Sequence, residues 1–469
     1  MSDDDIPAEQ TDDSPTTDAA ETAVDGGAVA TEAPQSRFWG VVPSGWELVE
    51  GSEVYDVNPS YTPEEEEVTY IEMDALDTEL PFPKYSKKRK AADYSGKLFG
   101  EGDTLFARIT PCTENGKTAF VNEMDTEVGI GSTEYAVLSP DRERIHPLYL
   151  YYVAKSHPVR NYAISRMRGS TGRQRVPFDV FRKELDIALP PLQEQRRSAS
   201  VLYNIDSLIQ KTNSVIEQLE RVRRGTEQEV LSRGVLEDGS LRDYSDTKSE
   251  KWIGKVPADW EVRPYGEVLD DSSVGIVVKP SQYYDDSGSV PILRSKDISR
   301  DGIQNGDFEY MTEESNEENA NSRLSAGDVI TVRSGDPGLS CVVTSEYEGA
   351  NCADLLITTP GDEIDPQFAA MWINSRAGRK QIDRFQAGLA QQHFNLGDLR
   401  KLQIAVPSLE EQQRIVQKVA SLTRSIEVEE QYLDKIKRVK RGLLQDLLTG
   451  DSRTNVPELD VLEQVKLHG

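Results

Sequence analysis

Apolar positions follow helical spacing in two separate stretches of the chain. In the first stretch Leu202, Ile205, Ile209, Ile216 and Leu219 follow a spacing of three and four residues, with Thr212 at the one polar position. In the second, the same spacing links Ile415, Val419, Leu422, Ile426, Leu433, Ile436, Leu443 and Leu447, with Glu429 and Lys440 as polar interruptions. This spacing places the apolar side chains on one face of a helix. The sequence therefore predicts long helices over residues 191–234 and 407–450.

Both predicted helices open with residues that favour a helix start, at Pro190-Pro191 and at Pro407-Ser408. A helix of some 40 residues extends about 60 Å and must bury its apolar face against a partner. Each helix is the natural partner of the other, and an antiparallel coiled coil would hold whatever precedes each helix at opposite ends of a rod. The pattern also fits a purely structural coiled coil or a dimerisation element.

The segments before the two helices alternate short apolar runs with turn residues. Residues 105–109 and 119–122 flank Asn115-Gly116, a strong hairpin signal because both positions tolerate positive φ. Residues 329–332 and 341–344 flank a Gly- and Pro-containing turn at 334–338 in the same way. Residues 147–155 and 366–374 have the pattern of helices. The predicted fold class is α+β, with a compact domain before each long helix.

An internal repeat organises the whole chain. Four ordered pairs of segments match: GVVPSGWE at 40–47 with GKVPADWE at 254–261, GDTLFAR at 102–108 with GDVITVR at 327–333, LDIALPPLQEQ at 185–195 with LQIAVPSLEEQ at 402–412, and RVRRG at 221–225 with RVKRG at 438–442. The last two pairs are separated by the same interval along the chain. The chain is a tandem duplication. The predicted segments are an acidic tail (1–36), a first globular domain (37–190), a first helix (191–234), a linker (235–255), a second globular domain (256–406), a second helix (407–450) and a C-terminal tail (451–469).

Composition adds a strong acidic bias. The formal charge of the chain is −29. Residues 1–36 contain ten acidic residues and no Lys or Arg, so they contribute −10, and this segment is expected to be disordered. The remaining −19 leaves two interpretations open: a protein without a nucleic-acid role, or a surface adapted to concentrated salt, as in a halophile. Three cysteines without CxxC spacing and four scattered histidines predict neither disulfides nor a metal site. No signal sequence or membrane span is indicated, so a cytoplasmic protein is expected.

With its motifs in duplicate and in order, the chain resembles the specificity subunits of type I restriction-modification systems. The resemblance extends from about Gly40 to Gly450 and rests on the VPSGW and VPADW openings, the GDTLFAR and GDVITVR strands, the PLQEQ and SLEEQ junctions, and the GLLQDLLTG ending at 442–450. The first copy ends in the looser EVLSRG at 229–234. A halophilic archaeal source would explain the acidity.

The resemblance implies a non-catalytic, DNA-reading subunit. Each globular domain would be a target-recognition domain for one half of a bipartite site in double-stranded DNA, and the helices would set the spacing between halves. The partners would be two methyltransferase subunits and a restriction-translocase subunit. Those partners would use S-adenosylmethionine, ATP and magnesium, and this chain would bind no cofactor itself. The methyltransferase subunits would dock on the helices marked by Leu202, Ile205, Ile209, Ile216, Leu219, Val419, Leu422, Ile426, Leu433 and Ile436.

Candidate DNA contacts are the basic and amide side chains that cluster in each globular domain. Arg and Lys neutralise phosphates, Arg can read guanine, and Gln can read adenine. A structural alternative is that these cations are solvated and balance neighbouring acids such as Glu64–Glu67. The candidates are Lys84, Lys87, Lys88, Arg89, Lys90, Arg166, Arg168, Arg173 and Arg175 in the first domain, and Arg333, Gln391, Gln392 and His393 in the second.

Two other classes of protein stay open at this point, together with a variant within the family. A coiled-coil scaffold would bind no DNA. A standalone methyltransferase would need more than the Asn58-Pro59-Ser60-Tyr61 tetrapeptide, because no glycine-rich cofactor motif follows an upstream strand. Within the family, an orphan specificity subunit would serve modification only.

Overall fold

The fold was determined as a computed structural model, which describes residues 34–93, 95–304, 306–386 and 394–453. The chain divides into two compact units. Unit 1 contains residues 1–200 and 444–469, and unit 2 contains residues 201–443. Both boundaries fall inside the long helices, because the first and last turns of the helices contact the globular part beside them.

Unit 1 contains two four-stranded sheets with the orders β6-β5-β10-β7 and β4-β11-β8-β9, and two two-stranded pairs, β1-β2 and β12-β3. Asn115-Gly116 lies in the connection between β8 and β9, which pair antiparallel, so the predicted hairpin is confirmed. The strands are β1 (Gln35–Ser36), β2 (Gly40–Val41), β3 (Glu47–Glu50), β4 (Tyr55–Val57), β5 (Glu67–Ile71), β6 (Lys87–Lys90), β7 (Lys97–Gly100), β8 (Thr104–Ala107), β9 (Thr118–Phe120), β10 (Val128–Gly131), β11 (Tyr135–Pro140) and β12 (Asp186–Leu189).

Helix α1 (Pro147–Lys155) packs on the second sheet of unit 1, and α2 (His157–Ser165) packs against α1. Residues 147–154 of α1 are all buried, so this helix is a core element and not an amphipathic surface helix. Phe106 and Phe181 pack ring to ring inside the same unit, with centroids 4.9 Å apart. Burying these large apolar side chains supplies the main stabilisation of the unit.

Unit 2 repeats this plan. Its four-stranded sheet has the order β16-β24-β21-β22, and β15 pairs with β25 as β3 pairs with β12 in unit 1. The predicted second hairpin is confirmed as β21 and β22. The strands are β13 (Thr247–Glu250), β14 (Gly254–Pro257), β15 (Glu261–Pro264), β16 (Leu269–Val274), β17 (Val290–Leu293), β18 (Ile298–Ser299), β19 (Gly302–Ile303), β20 (Glu309–Met311), β21 (Val329–Val332), β22 (Ser340–Val342), β23 (Asn351–Cys352), β24 (Leu355–Pro360) and β25 (Gln403–Val406).

The helices of unit 2 include a tandem pair at the place that α1 and α2 occupy in unit 1. Ser156 and Ser375 each stand between the two helices of a pair, and each hydroxyl donates to the carbonyl three residues earlier, at 2.7 and 2.6 Å. This shared geometry aligns the helix pairs of the two copies, with Ser156 equivalent to Ser375. The helices are α4 (Glu313–Glu318), α5 (Pro366–Asn374), α6 (Arg376–Gln386) and α7 (Leu396–Lys401).

Both predicted long helices are present, α3 at Leu192–Arg233 and α8 at Leu409–Thr449. Within unit 2, Lys440 near the end of α8 forms a salt bridge of 2.5 Å with Asp206, which lies in the first half of α3. At the other end, Glu411 of α8 accepts the backbone N–H of Val235, just beyond α3, at 2.9 Å. The polar interruption that Lys440 makes in the apolar pattern is thus accommodated by a buried carboxylate. No helix in the described part of the chain is long and apolar enough to span a membrane.

Candidate nucleic-acid interface

The duplicated junction motifs form a structural connection at the start of each long helix. In unit 2 the Trp260 indole N–H donates to Glu411. The Gln412 side-chain amide donates to the carbonyls of Pro407 and Glu363, both at 2.9 Å. The Gln412 side-chain oxygen accepts the backbone N–H of Asp365. A buried Gln that satisfies three backbone groups fixes the loop, strand end and helix start together.

Unit 1 contains the same arrangement. Trp46 donates to Glu194 at 3.2 Å, and Gln195 bonds the carbonyls of Pro190 and Arg144 and the N–H of His146. The VPxxW and xLxEQ motifs that carried the family resemblance therefore orient each globular domain on its own helix. They are positioning elements.

The GD…R motifs also have structural roles. Asp103 accepts the N–H of Gly100 and Asp328 accepts the N–H of Ser325, both at 2.8 Å, so each aspartate closes the turn before its strand. Burial raises the pKa of Asp103. At the end of the second strand, Arg333 is paired with Asp354 at 3.0 Å and its side chain is 17% exposed. Arg333, a predicted DNA contact, therefore forms an ion pair within the fold.

The basic run at residues 84–90 is exposed, but most of its charges are paired with acids. The four lysines lie within salt-bridge distance of carboxylates from other segments: Lys84 of Asp77 (3.3 Å), Lys87 of Glu72 (2.5 Å), Lys88 of Asp125 (3.2 Å) and Lys90 of Glu66 (3.5 Å). The Arg89 guanidinium lies 5.8 Å from the Tyr70 ring centroid. A phosphate contact at this run competes with an existing ion pair at each lysine, although exposed pairs of this kind are weak.

The four arginines around Gly169–Gly172 divide into two classes. Arg166 is bonded to Glu184, and Arg175 is bonded to Glu134 at 2.7 Å. The Tyr162 hydroxyl and the Arg166 guanidinium hold the pKa of Glu184 below its usual range. Arg168 and Arg173 are exposed, and within the described residues no carboxylate lies within 4.0 Å of either guanidinium.

Those two arginines belong to a short loop, with Arg168 at its base and Arg173 within it. Arg168 and Arg175 form an isolated antiparallel bridge, which closes the loop. Gly169 and Gly172 adopt φ of 130° and 80°, a region that side chains beyond glycine rarely enter. Both arginine side chains are exposed on this loop. The corresponding candidates in the second copy, Gln391, Gln392 and His393, lie outside the described residues.

The apolar residues that mark the docking helices face inward. Leu202, Ile209 and Ile216 of α3 are at most 9% exposed, as are Val419, Ile426, Leu433 and Ile436 of α8, and the other three, Ile205, Leu219 and Leu422, are half-buried. Most of these side chains therefore pack inside the fold. The sequence analysis missed a second set of apolar residues on these two helices. Apolar side chains 38–62% exposed recur at Leu208, Val215 and Val222 on α3 and at Val428, Tyr432 and Val439 on α8.

The remaining sequence signals have structural explanations. Asn58 of the tetrapeptide 58–61 has a φ of 55° and accepts the Val137 N–H, and Tyr61 donates to Asp103 at 2.9 Å. Burial raises the pKa of the Cys341 thiol to about 12, as expected for a cysteine in a core. Among the described residues, no group of three or more His, Cys, Asp or Glu side chains could hold a metal ion.

Comparison with known proteins agrees with the duplicated architecture. The family described as Type I restriction modification DNA specificity domain matches twice, at residues 43–221 and 257–438. The specificity subunit of the MjaVIII type I restriction enzyme of Methanocaldococcus jannaschii is 26% identical over 331 residues, which cover 69% of this chain and 75% of that protein.

Two solved structures share the fold. A chain from a type I restriction-modification system, solved to explain complex assembly and conformational transition, has a TM-score of 0.54 at 19% identity and covers 88% of this chain and 99% of that one. The specificity subunit from M. genitalium has a TM-score of 0.51 at 15% identity, covering 86% and 96%. With two specificity domains in tandem, the chain belongs to the family of type I restriction-modification DNA specificity subunits.

Proposed function

We propose that each globular domain reads one half of a bipartite DNA site and that α3 and α8, paired as an antiparallel coiled coil, fix the spacing between the halves. The main support for this proposal is a hydrogen bond that occurs in both copies, from Trp46 to Glu194 and from Trp260 to Glu411. It joins each domain rigidly to the start of a helix. A rigid joint is what a spacer of fixed length requires. The Lys440–Asp206 salt bridge supports antiparallel pairing and its register.

Within the first domain, the loop 168–175 is the best candidate for base reading. Arg168 and Arg173 are exposed, and the described residues bring no carboxylate within salt-bridge distance, so neither guanidinium must give up an ion pair to contact DNA. The run from Lys84 to Lys90 is the weaker candidate because of its ion pairs. Gln391, Gln392 and His393 keep the corresponding role in the second domain as a sequence-based proposal.

The methyltransferase subunits would dock on the outward faces of α3 and α8. Leu208, Val215 and Val222 recur at every seventh position and therefore share one helix face, as do Val428, Tyr432 and Val439. Exposed apolar rows of this kind are typical of protein contacts. The partners would bring S-adenosylmethionine, ATP and magnesium, and a restriction-translocase subunit would complete the complex. A cytoplasmic location follows from access to the DNA of the cell.

The spacer proposal is tested by co-expressing the chain with a methyltransferase subunit of the same system and mapping methylated adenines. A single bipartite motif is expected. Deleting residues 212–218 together with 428–434 removes seven residues from each helix, keeps the apolar pattern in register and shortens each helix by about 10 Å. The gap between half-sites should shrink by about three base pairs, because ten base pairs span roughly 34 Å. A motif with altered half-sites, or a continuous motif, would count against the proposal.

We also propose that the acidic surface is an adaptation to concentrated salt, consistent with a halophilic source. The formal charge of −29 destabilises a compact chain by self-repulsion when salt is low. The melting temperature should rise between roughly 0.1 and 3 M KCl, because salt screens this repulsion. A melting temperature that does not change with KCl would contradict this proposal without affecting the spacer proposal.

A further inference from the structure

Helix α6 of unit 2 carries a row of cations on its outer face. Arg376, Lys380 and Arg384 are exposed, whereas Gly378, Gln381 and Ile382 on the opposite face are buried. Residues four apart lie above one another on a helix, so the three charges follow its axis at intervals of about 6 Å. Within the described residues, no carboxylate lies within 4.0 Å of any of the three. Asp383, also exposed on this helix, is the acid nearest in sequence.

An exposed tryptophan extends this row onto the segment before β14. The Arg384 guanidinium lies 3.9 Å from the Trp252 ring centroid, and the Lys251 ammonium lies 4.7 Å from it. Trp252 is 45% exposed and has a φ of 85°, a conformation that costs a non-glycine residue on the order of 1 kcal/mol. Backbone strain that keeps a large aromatic side chain at the surface is typical of binding sites.

A cleft of about 520 Å³ connects the two segments. Lys255, Arg376 and Lys380 line it, together with Arg224 and Arg300 from elsewhere in unit 2. Two acids of the cleft already have cationic partners, since Glu227 pairs with Arg300 and Glu229 with Arg233. The uncommitted charges of the cleft are therefore positive. The chain as a whole has a formal charge of −29 and repels polyanions. This surface, in contrast, attracts them.

The repeat supplies an internal comparison. In the register that aligns Ser375 with Ser156, the residues Arg376, Lys380 and Arg384 correspond to His157, Asn161 and Ser165 of α2. Trp252 corresponds to Phe38, in the register that aligns the two domain openings. The same positions of the same fold therefore carry no row of cations in unit 1. The row is a property of the second copy and not a requirement of the architecture.

We infer that Lys251, Lys255, Arg376, Lys380 and Arg384, arranged around Trp252, form a surface that binds the phosphate backbone of duplex DNA. We refer to it as the α6 surface. The inference rests on the proposed function and adds to it a contact that is independent of base sequence. Lys and Arg rows that neutralise phosphates give affinity without specificity, and each contact releases a counterion. The second domain would thus anchor the duplex more strongly than the first.

The test replaces the row with the residues of the first copy, in the variant Arg376→His, Lys380→Asn, Arg384→Ser. The full chain with its methyltransferase subunits is titrated against a 40-base-pair duplex, and binding is measured by fluorescence anisotropy at a series of KCl concentrations. Circular dichroism confirms that the protein is folded at each concentration. The slope of log affinity against log salt should fall by about 2.7, because three phosphate contacts contribute roughly 0.9 each. Affinity for cognate and random duplexes should fall by the same factor, and the methylated motif should stay the same.

A matched variant, Arg142→Gln, Arg182→Gln, Lys183→Gln, removes the same number of positive charges from unit 1, at exposed positions outside the candidate DNA contacts. Its salt slope should change by less than one. Equal slopes in the two variants would show an effect of net charge alone and would overturn the inference. An unchanged salt slope in the α6 variant would also overturn the inference. A changed methylated motif would overturn it as well, because it would mean that the surface reads bases. A complex without any affinity for duplex DNA would instead contradict the proposed function.

A second measurement does not depend on the triple substitution. Duplex DNA should protect Trp252 from acrylamide, so saturating DNA should reduce the quenching of tryptophan fluorescence in the wild type. The variant Trp252→Phe, which carries the first copy's residue, should lose most of that reduction. Equal protection in wild type and variant would show that DNA does not cover Trp252 and would contradict the α6 surface.

Discussion

Trp260 donates its indole hydrogen to Glu411 at 3.3 Å, and the same carboxylate binds Arg242 and the backbone N–H of Val235. One buried carboxylate thus joins the opening of the second domain, the segment after α3 and the first turn of α8. Its counterpart Glu194 accepts the indole N–H of Trp46 at 3.2 Å. The Glu194 carboxylate also lies 3.8 Å from the guanidinium of Arg453, which follows α8. In both units the segment that leaves a long helix contacts the start of the other one.

Replacing Glu411 with Gln should destabilise unit 2. The change leaves the Arg242 guanidinium, 13% exposed, without its buried partner, a loss of about 3 kcal/mol. The melting temperature measured by calorimetry should fall by roughly 6–12 °C for a unit of this size. Glu410→Gln, at an exposed position, is the control and should have little effect. Glu194→Gln should cost less than Glu411→Gln, because Arg453 is 49% exposed, and the reverse order would contradict the assigned roles.

Replacing Lys440 with Met should weaken the pairing of the helices. Asp206 is 2% exposed at its side chain, and removing the ammonium 2.5 Å away leaves a buried carboxylate poorly compensated, at a cost of about 3 kcal/mol. Adding Asp206→Leu should restore stability to within about 1 kcal/mol of the wild type, because an apolar pair continues the stripe. Urea unfolding followed by circular dichroism provides the measurement, with Lys435→Met as the exposed control. If the double variant is no more stable than Lys440→Met, the buried pair is not the cause.

The stability of unit 2 should depend on the protonation of Glu227. Burial raises the pKa of this carboxyl, while Arg300 and Arg223 oppose the rise. A raised folded-state pKa means that the folded protein binds more protons than the unfolded chain between the unfolded and the folded pKa. The contribution of Glu227 to stability is therefore present below that window and is lost as the pH rises through it.

This pH dependence is isolated by comparing the wild type with Glu227→Gln. The melting temperature of the wild type minus that of the variant should be more positive at pH 5 than at pH 7.5. Glu217→Gln, exposed on the same helix, should show no such trend. A difference that grows toward alkaline pH would mean that the ion pair with Arg300 outweighs burial.

Removing Arg168 and Arg173 should change one half-site only. Each guanidinium that contacts a base pair supplies about 1–3 kcal/mol of discrimination. The variant Arg168→Ala, Arg173→Ala should give a methylated motif that is relaxed in the half read by the first domain and unchanged in the other half. Arg166→Ala removes an arginine that is bonded to Glu184, so it should lower stability and leave the motif intact. Relaxation of both halves, or of neither, would rule out the loop as the reading element of that domain.

Several features of the fold were predictable because their causes are local. The apolar spacing determined α3 and α8 to within a residue or two, and Asn115-Gly116 determined the β8–β9 hairpin, since side-chain periodicity and turn geometry depend on neighbours in sequence. The duplication was visible because it repeats residues and not merely elements. The family followed from these repeated motifs, although their roles did not. VPxxW and xLxEQ became meaningful only when the indole and the carboxylate were found in contact.

The charges show where sequence reasoning ended. Lys84–Lys90 is the densest basic run, yet carboxylates of Glu66, Glu72, Asp77 and Asp125 reach its lysines from other segments. Arg376, Lys380 and Arg384 are interspersed in sequence with neutral residues, Arg379 and Asp383, and only the helix brings the three onto one face with Trp252. The sequence by itself determined the elements, the repeat and the family. Which of the described cations form ion pairs was decided by the tertiary structure, because ion pairing depends on distance in space and not on distance along the chain.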